Sequence, residues 1–222
     1  MATDLRLVVF DVDGTLVDSQ ADIVASMTAA FDGLGVAVPA RADILSIVGL
    51  SLPQAMARLA PDADGDGLVR AYKAAYVERR AAAGARASSP LYPGARDALE
   101  RLQAEPNILL GIATGKSRRG LDLLLDAYDL RPYFVTQQVA DFHPSKPHPA
   151  MLHAAMNEAG VEADQAVMIG DTTFDMDMAG AAGMAFVGVS WGYHPAAHLT
   201  EAAAVLDDFD GLDPALAQLW ER

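Results

Sequence analysis

Residues 5–15 read Leu-Arg-Leu-Val-Val-Phe-Asp-Val-Asp-Gly-Thr. The apolar run at 5–10 has the length and composition of a buried strand. Two carboxylates, Asp11 and Asp13, follow at once. Residues i and i+2 of a continuing strand share a face, so this spacing brings the pair together. Two ionised carboxylates so close repel, and a chain tolerates this where a cation or a shared proton offsets the repulsion. Gly14 then allows a sharp turn, which suits a loop wrapped around an anion. A plain strand ending in an Asp-Gly turn would read the same way locally. The remainder of the chain decides between them.

Working outward, further short apolar runs at 108–113, 166–169 and 185–189 read as buried strands, each bounded by Gly, Asp or Thr. A weaker strand falls at 134–139, a short edge strand at 205–206 and a closing helix at 214–220. Amphipathic helical patterns at 94–104, 117–128, 150–159 and 173–182 lie between them. Such alternation predicts an α/β fold with a parallel sheet covered on both faces. The interval 17–89 breaks the alternation: it has helical patterns at 21–34, 42–48, 52–59 and 66–83 and no convincing strand. The expected organisation is therefore a core of residues 1–16 and 90–222 with a helical insertion, 17–89, after the first strand. Residues 88–94 read as the returning linker. Asp62-Ala63-Asp64-Gly65-Asp66-Gly67 resembles a calcium loop but lacks the closing glutamate, and reads as an exposed turn.

Composition narrows the function. The 222 residues carry a formal net charge of −14, and 52% are apolar. So acidic a chain is not expected to bind nucleic acid or an anionic membrane through overall charge. There are no cysteines. Disulfides, thiolate metal sites and cysteine nucleophiles are thereby excluded. No basic-then-apolar leader opens the sequence and no run approaches a membrane span, so the expected location is cytoplasmic.

Open α/β sheets bind ligands at the carboxyl ends of their strands. The first strand delivers Asp11 and Asp13 there. The next delivers Thr114-Gly115-Lys116, a hydroxyl and backbone N–H groups at a helix start, suited to an anion. Three prolines stiffen His143-Pro144-Ser145-Lys146-Pro147-His148-Pro149 around Lys146. The strand at 166–169 ends in Gly170-Asp171-Thr172-Thr173-Phe174-Asp175, two more carboxylates at a helix mouth. Each motif alone has an ordinary structural explanation; their convergence points to phosphoryl chemistry. Asp11 can attack phosphorus as a nucleophile. Asp13 can donate a proton to the leaving oxygen and later activate water. Thr114 and Lys146 can bind phosphoryl oxygens, and Asp171 with Asp175 can hold Mg2+ beside Asp11.

Asp11-Val12-Asp13-Gly14-Thr15, Thr114, Lys146-Pro147 and Gly170-Asp171 with Asp175, in this order, resemble the signatures of the haloacid dehalogenase superfamily, and in particular its phosphatases with a helical cap. The resemblance covers nearly the whole chain. It implies a Rossmann-like core, a cap that opens and closes, and Mg2+ ligation by the backbone carbonyl of Asp13. Dehalogenases of this pattern lack the second aspartate, which is present here as Asp13. Asp11 to Gln20 and the segment 47–52 most resemble phosphoglycolate phosphatases, with Ser51 where those often have glycine. Arg58, on the following helix, is a candidate partner for a substrate carboxylate. The resemblance thus implies hydrolysis of a small phosphorylated metabolite, and the chain is expected to be a monomer or homodimer. A sugar-phosphate mutase or phosphotransferase, or a pyrophosphatase, is the alternative. Lys116 reads either as a screen for the phosphate or as solvated, and Trp191, Tyr193 and His194 as ordinary packing that covers the core beside the site. His143 and His148 read as structural.

Overall fold

The computed structural model describes residues 5–221. Residues 1–4, part of the N-terminal stretch read above, lie outside it, as does residue 222. The first strand, β1 (Arg6–Phe10), is followed by five helices: α1 (Gln20–Gly33), α2 (Arg41–Ser46), α3 (Leu52–Leu59), α4 (Gly65–Ala83) and α5 (Ala85–Ser88). Strand–helix alternation then runs α6 (Ala95–Ala104), β2 (Ile108–Thr114), α7 (Arg118–Tyr128), β3 (Phe134–Val139), α8 (Ala150–Ala159) and β4 (Ala166–Gly170). It closes with α9 (Thr173–Ala181), β5 (Ala185–Val189), β6 (Ala204–Leu206) and α10 (Leu212–Trp220). The six strands form one sheet in the order β3-β2-β1-β4-β5-β6, and every neighbouring pair is parallel. The α/β, Rossmann-like parallel sheet expected from the sequence is thereby observed.

The alternation of side chains along β1 explains why that strand is apolar throughout. Val8 and Phe10 join the cluster on one face, with Leu99 of α6 and Leu121 of α7. Leu7 and Val9 join the other, with Leu152 of α8 and Met178 of α9. Both faces are covered, so no position is free to be polar. The strand next to β1 is β2 on one side and β4 on the other. The chain therefore reverses its direction of winding between β1 and β4, and a crevice opens at their carboxyl ends.

Helices α1 to α4 surround a third cluster, built on Met27, Phe31, Ile44, Met56 and Leu68, into which Phe174 of α9 also packs. The two ends of this helical stretch lie side by side. Val17 bridges Leu91 in antiparallel fashion. The Asp18 amide donates to Pro90 O at 2.9 Å and the Tyr92 amide to Leu16 O at 3.0 Å. The four-residue α5 precedes the linker expected at 88–94, and within that linker the chain forms this paired neck. Proline-rich spacing hid the pairing, because Pro90 contributes only its carbonyl. No helix among the described residues is long and apolar enough to cross a membrane.

Phe31 is wholly buried at the centre of the α1–α4 cluster. Phe31→Ala is expected to cost about 3–5 kcal/mol, the usual penalty for emptying such a site. Urea denaturation measures it.

Candidate active site

The sheet ladder continues one residue past β1, as the Asp11 amide donates to Ile169 O at 2.9 Å. The backbone then turns. Val12 O accepts from the amides of Leu16 at 2.9 Å and Val17 at 3.0 Å, and Gly14 takes φ +89°. A Cβ on Gly14 would stand 2.2 Å from Asp171 Oδ2. Only glycine satisfies both the dihedral and the contact. Gly192 is equally confined, since its Cβ would lie 2.1 Å from Asp171 Cβ.

Three of the sequence-predicted carboxylates, Asp11, Asp171 and Asp175, converge with Lys146. Lys146 is fully buried; its Nζ lies 2.9 Å from Asp11 Oδ1 and 2.6 Å from Asp175 Oδ1. Asp175 Oδ2 accepts from the Thr172 amide at 3.1 Å and from Thr172 Oγ1 at 2.7 Å, so this carboxylate also caps α9. Asp171 Oδ1 accepts from Thr15 Oγ1 at 3.0 Å and Oδ2 from the Tyr193 amide at 2.8 Å. Asp11 Oδ2 is buried without a hydrogen-bond partner. Oxygens of Asp11, Asp171 and Asp175 lie within 4.8 Å of one another.

The electrostatics follow from that crowding. Burial, reinforced by Asp175 and Asp13 and opposed by Lys146, pushes the Asp11 carboxyl up to about 7. Burial and the same neighbours, Asp175 and Asp11, hold Asp171 well above the usual carboxylate range. Burial disfavours the Lys146 ammonium, but Asp11 and Asp175 more than offset it and keep it above the ordinary lysine value. Three carboxylates against one ammonium leave surplus negative charge on hard oxygen donors. That donor set fits a divalent cation such as Mg2+.

Asp13 lies apart from the three. Its Oδ1 accepts from Ser19 Oγ at 2.5 Å and pairs with Lys116 Nζ at 2.9 Å. Of the two sequence readings of Lys116, the solvated one fails: its ammonium is buried on Asp13, and its Nζ also reaches Tyr76 Oη at 3.4 Å. Burial works against its charge, while Asp13 raises its pKa above the ordinary value. Asp11, Asp13, Thr114, Gly115 and Lys116 all border one cavity of about 680 Å³ between the sheet ends and the helical stretch. The Thr114 hydroxyl accepts from the Lys116 amide at 3.2 Å. Arg58 is not brought to this cavity. Its guanidinium lies 5.1 Å from the centroid of Phe174, in a cation–π contact.

Sequence reasoning missed the loop after β5. Tyr193 Oη accepts from the Ser19 amide at 3.1 Å and lies 2.9 Å from Ser19 Oγ, so one tyrosine touches the supports of both Asp13 and Asp171. Trp191 Nε1 donates to Thr15 O at 3.1 Å. The signal was available: this loop also leaves the carboxyl end of a strand. His148 Nδ1 accepts from the Ala150 amide at 3.2 Å, and His143 Nε2 lies 2.8 Å from Gln138 Oε1. Both contacts are local.

Three contacts seat the helical stretch on the sheet ends. The Ser51 amide donates to Ser145 Oγ at 2.7 Å. Gly115 lies under the backbone of Gly49 and Leu50, where a Cβ would come within 2.5 and 2.7 Å of their carbonyl oxygens. His194 Nδ1 accepts from the Thr173 amide at 3.1 Å and its Nε2 donates to Ser46 O at 3.1 Å. This bridge requires the neutral ring protonated on Nε2.

Gly115→Ala is expected to lower stability by about 1–3 kcal/mol through overpacking and to lower kcat/KM with it; denaturation and kinetics measure the two. Burial holds His194 below its ordinary value of 6.5, helped by His198 and opposed by the Ser46 carbonyl and Asp175. The unfolded chain therefore binds the proton more readily, and the His194 contribution is lost as pH falls through the ordinary value. Melting temperatures between about pH 8 and pH 5 should fall less steeply in His194→Gln than in the parent.

Known proteins resemble this chain over most of its length. A sequence profile described as haloacid dehalogenase-like hydrolase matches residues 8–189. The chain is 36% identical over 211 residues to "Probable phosphatase IndB" of Dickeya dadantii, covering 91% of this chain and 90% of that one. It is 34% identical over 215 residues to a phosphoglycolate phosphatase of Pseudomonas savastanoi, covering 94% and 79%. Among solved structures, a haloacid dehalogenase-like hydrolase from Streptococcus pneumoniae superposes with a TM-score of 0.83 at 26% identity, over 96% and 99% of the two chains. A hydrolase from Pseudomonas syringae gives 0.84 at 27% identity, over 96% and 98%. The chain belongs to the haloacid dehalogenase-like hydrolase family.

Proposed function

We propose that this protein is a Mg2+-dependent phosphatase that hydrolyses a small phosphorylated metabolite, phosphoglycolate-like in size, through an aspartyl phosphate. The observation that carries the reading is the Asp11 carboxylate. One oxygen, Oδ1, is paired with Lys146 and the other, Oδ2, is buried without a donor, in a residue that borders the cavity. Asp11 Oδ2 attacks phosphorus and the bond to the leaving oxygen breaks. Both contacts to Asp13 fall on Oδ1, so Oδ2 is the oxygen left to pass its proton to the departing alkoxide. The same oxygen then takes a proton from water, which attacks the aspartyl phosphate and returns Asp11 and free phosphate. Thr114 and Gly115 present donors to the phosphoryl oxygens, with Lys146 behind Asp11.

Asp11, Asp171 and the backbone carbonyl of Asp13 would hold the Mg2+, with Asp175 completing the carboxylate cluster. The ion supplies charge neutralisation between an anionic nucleophile and an anionic ester. Residues 17–89 would act as a cap whose seating on Gly115 encloses the substrate and excludes water. The 34% identity to a phosphoglycolate phosphatase supports the substrate size.

Asp11→Asn should reduce turnover to the uncatalysed background without lowering the melting temperature, because one of three mutually repelling carboxylates is removed. Chelation should abolish activity and Mg2+ should restore it. A panel of phosphoglycolate, pyrophosphate, sugar phosphates and nucleotides, run in 18O-labelled water, identifies the substrate and separates hydrolysis from phosphoryl transfer to a sugar. Persistent hydrolysis by Asp11→Asn would overturn the covalent mechanism.

A further inference from the structure

The cavity has a second charged end that the chemistry above does not use. Arg80, near the carboxyl end of α4, is only 6% exposed. Both terminal nitrogens of its guanidinium are buried with no hydrogen-bond partner, and it borders the same cavity as Asp11 and Thr114. Its neighbour Arg79 is committed elsewhere, to Asp22 at 3.4 Å. Lys116, the other buried cation on the cavity wall, is committed to Asp13.

The helix explains where Arg80 points. Tyr72, Tyr76 and Arg80 are spaced by four residues and share one side of α4. Tyr72 stacks on Tyr76 with centroids 5.9 Å apart, and Tyr76 Oη meets Lys116 Nζ at 3.4 Å. The stripe therefore faces the strand ends, and Arg80 stands one turn, about 5.4 Å along the axis, beyond the contact with Lys116. A buried guanidinium with no partner carries an uncompensated desolvation cost. Burial of this kind is sustained where an anion completes the pair.

We propose that Arg80 is the specificity-determining residue of this site and binds a second anionic group of the substrate, a carboxylate or a second phosphate, while the phosphoryl group to be cleaved lies at Asp11. The placement of the first anion rests on the phosphatase reading above; the second subsite rests on Arg80 itself. It selects esters with two separated anions over esters with one. The guanidinium fork matches either oxyanion in bidentate fashion, which a lysine ammonium cannot do.

The test uses the full chain with Mg2+ and three esters: ethyl phosphate, with one anion; 2-phosphoglycolate, with a carboxylate; and glucose 1,6-bisphosphate, with a second phosphate. The parent should favour at least one two-anion ester over ethyl phosphate in kcat/KM. Arg80→Gln should lower that preference at least tenfold, through KM rather than kcat, and Arg80→Lys should recover part of it. The ester whose advantage collapses identifies the second anion. A preference unchanged in Arg80→Gln, or an equal loss on all three esters, overturns the proposal. Should the parent hydrolyse none of them, none is its substrate and the subsite is judged by binding alone. Phosphonoacetate should then raise the melting temperature of the parent more than methylphosphonate does, and this difference should vanish in Arg80→Gln. Equal shifts in the parent, or a difference that survives the substitution, overturn it.

Discussion

One buried ammonium makes this arrangement of strand ends possible. Lys146 lies between Asp11 and Asp175 with no exposure to solvent. With an effective dielectric near 20, each of its contacts is worth about 6 kcal/mol of Coulomb attraction, and each carboxylate pair within the cluster repels by about 3 kcal/mol or more. Attractions and repulsions are thus of similar size. Desolvation remains as the unbalanced effect, which is why burial leads the causes that raise Asp11 and Asp171. The cluster is poised: it folds with one cation of its own and has capacity for a second, doubly charged one.

The poise constrains what surrounds it. Gly14 and Gly192 are forced to lack side chains because both press against Asp171. Tyr193 supports Asp171 through its amide and Ser19 through its hydroxyl, so the loop after β5 couples two segments far apart in sequence. Asp13 is kept out of the cluster by its own partners, Lys116 and Ser19. Two aspartates two residues apart thereby occupy different electrostatic environments.

Much of this was legible in the chain. Regular strand–helix alternation and the strand-end rule were enough to select Asp11, Thr114, Lys146, Asp171 and Asp175, and the structure brings the four charged members of this set together around Lys146. The weak strand at 134–139 formed as expected because Phe134, Thr136 and Gln138 all turn inward while Val135 is exposed. Contacts made across the chain were not legible. Nothing local distinguishes Lys116, buried on Asp13, from a solvated lysine, because its partner lies about a hundred residues away. Arg58 carried a plausible motif position, yet an aromatic ring from α9 claimed it. Arg80 sits in an amphipathic helix of alternating charges, and only the packing of α4 reveals that one of its arginines faces inward unpaired.

The paired neck at Val17 and Leu91 has a consequence for how such molecules diversify. Some seventy residues leave and rejoin the sheet through two hydrogen-bonded neighbours. Their entry and exit points are therefore almost coincident, and the sheet does not register what is spliced between them. Exchanging the intervening helices for those of a relative with an equally narrow junction would replace one wall of the cavity and leave the strand ends unaltered.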